Sequence, residues 1–186
     1  MVAEQNWGEA YKELSQLIID PTGPLSEIKH VDLFFEQINN QDEEYPFPEH
    51  SVFIDFNADK IETTGKNVQD MNMIVTFYHA FDTLSDSFEG SDNQTTALEF
   101  INVNRKIHKL LQGKHGVHFS KLDRVAFGRY RTDSRGVICY FQSYACIIRD
   151  YAPYEETQSV QIGGVSLNNN PAPPQNQNIA LYQVDL

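Results

Sequence analysis

Three imidazoles crowd the stretch HKLLQGKHGVH, where His108, His115 and His118 stand seven and three residues apart. Imidazole is a common zinc ligand, and a bound zinc would supply a hydrolytic water. Zinc sites use tighter paired spacings such as HExxH, or thiolates close by, and this stretch has neither. Read locally, these basic residues complement the negative end of a helix that stops near Gly113. His50 and Asp55 offer a second acid–base pair five residues apart. On a strand that odd offset sends them to opposite faces, so they do not converge. His79 stands among apolar residues and reads as a core or interface histidine. GxSxG, a Walker loop, GxGxxG and CxxC are all missing, and Gly163-Gly164 is a lone doublet in a polar stretch. No catalytic, cofactor-binding or metal residue is therefore assigned, and no enzyme activity is expected. A metal-dependent hydrolase built on His108, His115 or His118 stays as the lowest alternative.

The elements around these residues are easier to read. GEAYKELSQLII repeats Tyr11, Leu14, Leu17 and Ile18 at helical spacing and ends at Asp20-Pro21. HVDLFFEQI and SVFIDF alternate like strands. In VQDMNMIVTFYHAF, Met71, Met73, Val75, Phe77, His79 and Phe81 fall on one face of a longer strand. The polar stretch between these last two strands reads as a connection. Ser91 and Gln94 have the spacing of a capping box opening a helix to about residue 112, with Gly113 at its C′ position. KLDRVAFGRYR and RGVICYFQSYACIIRDYA supply two closing strands, the second apolar on both faces and hence central or doubly covered. The fold class expected is α+β: an antiparallel β-sheet of four to five strands, helices packed on one face, over residues 1–154. Residues 155–186 contain no Lys or Arg and are rich in Asn, Gln and Pro. They read as an extended C-terminal arm whose tip, IALYQVDL, alternates like a strand. A polar linker of ~18 residues spans up to ~60 Å, enough to pair the tip with another chain's sheet edge.

Bulk numbers narrow the partners. A net charge of −12 over 186 residues makes a grip on nucleic acid unsuitable, because phosphate binding needs clustered cations. An acidic wall can still surround DNA without holding it. Cys139 and Cys146 sit seven apart on one strand, on opposite faces, which argues against a disulfide between them. No apolar run is long enough to span a membrane, and the first residues lack the pattern of a signal peptide.

Two patches of opposite sign stand out. Asp42, Glu43, Glu44 and Glu49 surround the proline-stiffened aromatics Tyr45 and Phe47 in EEYPFPEH. Arg124, Arg129, Arg131 and Arg135 surround one hairpin. Such patches suit a head-to-tail interface, which closes copies into a ring. The subunit-interface residues expected are Glu43, Glu44, Tyr45, Phe47, Arg129, Arg131, Arg135, Leu181, Tyr182 and Val184.

The succession HVDLFFEQINN, EEYPFP running into VFIDF, MNMIVTFYHAF, NVNRKIHKLLQG and YFQSYACIIRDYA resembles the tail-terminator or tail-completion proteins of the bacteriophage neck. The resemblance covers roughly residues 8–152 and carries no catalytic signature. It implies a small α+β subunit in a homo-oligomeric ring, typically a hexamer, in the virion. The ring would cap the tail tube and join it to the head connector, with double-stranded DNA passing through its lumen unbound. Its partners would be the tail tube protein and the neck proteins, with assembly from subunits made in the host cytoplasm. Another head-to-tail connector or head-closure ring protein is the alternative it leaves.

Overall fold

A computed structural model describes residues 7–39, 48, 50–65, 68–82, 87–132 and 136–151. The chain opens with α1 (Trp7–Ile19), β1 (His30–Leu33), β2 (Ser51–Gly65) and β3 (Val68–Asp82). Two helical pieces follow, α2 (Gln94–Ala97) and α3 (Glu99–Leu111), then β4 (Asp123–Tyr130) and β5 (Val137–Asp150). All five strands join one sheet in the order β1-β2-β3-β5-β4. This is an α+β fold.

One strand corrects the expectation of an antiparallel sheet. β1 runs parallel to β2, His30 opposite Ser51, while the other three pairings are antiparallel. Parallel neighbours cannot be joined by a tight hairpin, and residues 34–50 make the crossover. β1 is also shorter than HVDLFFEQI. Gln37 folds back to donate to Leu33 O at 2.6 Å, and Glu36 takes a left-handed φ of 60°, so the strand breaks there. β2, by contrast, runs on through the polar stretch to Gly65, which pairs with Val68.

β3 and β5 pair along their whole length, from Gln69↔Asp150 to Asp82↔Val137. Their alternation divides the core in two. On one face Val75, Phe77, Tyr144 and Ile148 meet Leu14 of α1 and Ile107 of α3. On the other, Phe53, Ala80, Val137 and Cys139 meet Ile38. Cys146 belongs to the first cluster and Cys139 to the second, so the free thiols lie on opposite faces, and burial pushes both up to about 12.

The single helix expected after residue 91 is interrupted at Leu98. Ser91 Oγ accepts from Asn93 N–H, and the Gln94 side chain donates to Ser87 O and Glu89, so the reciprocal capping box does not form. Gly113 has a φ of 77° and lets the chain turn sharply after α3. The following loop is tied to α1: Glu13 accepts from Val117 N–H and His118 N–H at 3.0–3.2 Å. Gly116 makes that approach feasible, since a Cβ there would lie 2.4 Å from Glu13 Oε1.

Candidate functional site

β4 is the outermost strand on its side, and α3 lies over β3 and β5 instead of over β4. The face of β4 beside the helix is therefore left open. Between them lies a cavity of about 480 Å³ whose apolar walls are Phe100, Ile101, Phe127 and Tyr140. Phe100, Tyr140 and Phe127 stack in succession, with centroids 5.3 and 5.8 Å apart, and Phe81 extends the stack at 4.7 Å from Phe100. Val125 and Phe127 remain 57% and 54% exposed, which is unusual for adjoining apolar residues on a strand.

The polar lining is cationic. Arg105 of α3 and Arg124 of β4 both border the cavity, and neither makes an ion pair among the described residues. The Arg124 guanidinium lies 5.7 Å from the Phe127 ring centroid, in cation–π range. Beneath runs a buried chain of hydrogen bonds. Gln142 Nε2 donates to Asn104 O at 2.8 Å, and Tyr144 OH donates to Gln142 Oε1 at 3.0 Å. That uses the only tyrosyl proton, so His108 Nδ1, 3.2 Å from Tyr144 OH, must carry the proton between them. Burial and then Arg124 lower the His108 pKa, which keeps the ring neutral. Burial also raises the Tyr144 pKa to about 12.

This lining is suited to binding. Both thiols are buried and protonated, and the buried Thr76 and Ser143 hydroxyls hydrogen-bond each other at 2.9 Å. Among the described residues no three His, Cys, Asp or Glu side chains converge on a metal position. His108 faces Tyr144, and His115 is exposed. A guanidinium pair above stacked aromatics is suited to a segment that is both apolar and anionic.

The opposite side of the sheet carries a second apolar surface. β1 pairs with β2 only as far as Ile54, so among the described residues the outer edge of β2 has no strand partner from Asp55 to Gly65. A cavity of about 340 Å³ opens there, lined by Trp7, Phe35, Phe56, Met71 and Met73 among others. Trp7 and Phe35 are 47% and 74% exposed.

Of the interface residues expected from sequence, Arg129 and Arg131 are exposed at the end of β4. Glu43, Glu44, Tyr45, Phe47, Arg135, Leu181, Tyr182 and Val184 lie outside the described residues. The fold does fix where the acidic loop starts. Asn39 Nδ2 donates to Tyr130 OH at 3.1 Å, and Thr132 Oγ1 donates to Ile38 O at 2.9 Å. Asn39 and Thr132, the described residues that flank the acidic run and the arginine run, therefore lie at one corner of the subunit.

His50, at the other end of that loop, pairs with His79 and not with Asp55. Their Nδ1 and Nε2 are 3.1 Å apart and the rings stack. Burial, then the neighbouring His50, lowers His79 to about 3, with Asn104 acting weakly the other way. His79 is thus a neutral core histidine.

Sequence reading missed the part played by Arg105, Phe100 and Ile101. The signal was present, since Phe100, Asn104 and His108 recur every four residues on α3. Nothing in that spacing tells that β4 would lie beyond the helix's cover. No protein-family model matches the chain, and no curated protein matches it.

Proposed function

We propose that this protein is a structural subunit that assembles head-to-tail with copies of itself into a ring, as a tail-terminator or tail-completion protein of a phage neck. The ring would cap the tail tube and join it to the head connector, DNA passing through the lumen. The observation that carries this reading is the pair of unlike apolar surfaces on opposite edges of the sheet. One holds Trp7 and Phe35, the other Ile101 and Phe127. Surfaces of this kind on different sides of one subunit make a heterologous contact, which repeats until it closes. The phage station itself rests on the sequence resemblance. A net charge of −12 suits a lumen that does not hold DNA.

Light scattering on purified chain should give a closed multiple of the 21.3 kDa subunit. Trp7→Asp and Phe127→Asp should each break it to small species. Mixing the two variants should yield a heterodimer and nothing larger, because each keeps one intact surface. Rings that survive both substitutions would overturn this reading.

A further inference from the structure

We infer that the outer edge of β4 receives residues 179–186, IALYQVDL, from a neighbouring copy, added as a sixth strand on the sheet. The inference rests on the assembly reading above and extends its contact: the copy whose Trp7 surface meets the Phe127 groove also lays its tip along the neighbouring β4 edge. β4 ends the sheet, so its outer row of backbone groups has no strand partner among the described residues, and only Arg124 N–H is taken, by Gln112 Oε1 at 3.0 Å. An exposed edge bordered by apolar side chains is the usual template for strand addition.

Charge selects the edge. β4 and its continuation carry Arg124, Arg129 and Arg131, Arg105 faces it from α3, and none is ion-paired among the described residues. The free edge of β2 instead carries Asp55, Asp59 and Glu62 against Lys60, itself held by Glu62. Residues 179–186 carry Asp185 as their one charged side chain, and no Lys or Arg occurs anywhere in 155–186. Such a segment is attracted to β4 and repelled from β2. Its alternation places Tyr182 and Val184 on one side and Leu181 on the other, so an apolar side chain meets Phe127 whichever way it lies.

Reach is ample. Residues 152–178 separate the last described residue from the tip, and extended they span about 90 Å. Pro171, Pro173 and Pro174 stiffen the approach toward an extended spacer, which favours delivery to the next copy.

Cysteine pairs test this in the full chain, whose own thiols are buried. Val125→Cys and Tyr182→Cys variants, mixed and treated with a short bismaleimide, should give a cross-linked dimer. Ile61→Cys, on the β2 edge, should give little with Tyr182→Cys. Adding Arg124→Glu and Arg129→Glu to the Val125→Cys chain should cut the yield about tenfold. Light scattering on the same samples separates the two claims. Assembly without Val125–Tyr182 linkage, or linkage to Ile61 instead, overturns the β4 assignment alone. A cross-link confined to a single doubly substituted chain overturns delivery between copies. A chain that stays a single subunit and forms no link overturns both.

Discussion

The two faces of the sheet are both apolar, yet they are closed by different means. One is covered by α1 and α3, whose Leu14, Ile18, Ile107 and Leu111 are fully buried against Val75, Phe77 and Tyr144. The other has no helix packed on it among the described residues. Residues 34–39 lie against it, Phe34 stacking on Tyr78 at 4.2 Å and Ile38 fully buried, with the strap tied to the end of β4 through Tyr130 and Thr132. A helix face distributes its contacts over many turns, so losing one side chain weakens the whole fold. A strap concentrates them in a few residues and ends where the acidic loop begins. The second face is therefore the one whose closure depends on the strap's own anchors.

The largest effect should separate the two. Leu14→Ala should cost about 3 kcal/mol in urea unfolding, felt globally, because a fully buried methyl pair leaves a cavity between helix and sheet. Ile38→Ala should cost about 2 kcal/mol and show mainly as faster amide exchange at residues 34–39. Equal exchange throughout the protein in both variants would dissolve the distinction.

A somewhat smaller effect is set by pH. His79 is neutral in the folded state, its pKa at about 3, while the unfolded chain takes up a proton near 6.5. The unfolded state therefore binds more protons below pH 6.5, and stability should fall on acidification, by about 2 kcal/mol between pH 7 and 5. His108, also depressed, adds in the same direction. His79→Gln should flatten most of this slope in urea titrations at the two pH values. An unchanged slope would mean that the ring is protonated in the fold.

The smallest effect lies at the strap's tie. Asn39→Ala removes its hydrogen bond to Tyr130 and should cost about 1 kcal/mol. Double-mutant cycles with Thr132→Val would reveal whether the two ties act together. Strict additivity would show that the strap is held at separate points.

Much of this was readable in advance, and the misses share a cause. The β3 stripe from Met71 to Phe81 and the two-sided β5 stand as their alternation reads, because a buried strand writes its environment on both faces. The polar run from Asn57 to Gly65 read as a connection and is strand. Its pairing to β3 is made by backbone groups, and its side chains, all exposed, carry no apolar period. Ser91 and Gln94 have the letters of a capping box, but nearer acceptors on Ser87 and Glu89 take the glutamine. The candidate groove was half legible: Arg124 was visible in a run of arginines, whereas Arg105 and the aromatic floor were not.

The order of residues by itself determined which segments are apolar on one side or both, that the two thiols face apart, and that this acidic chain sets four of its 14 Lys and Arg residues around one hairpin. Tertiary structure alone decided that β1 lies parallel to β2, that α3 stops short of β4, and that two apolar edges end up opposite one another. The physical reason is range. Periodicity records what a residue's own element needs, whereas cover and strand direction depend on neighbours far along the chain, which no local pattern encodes.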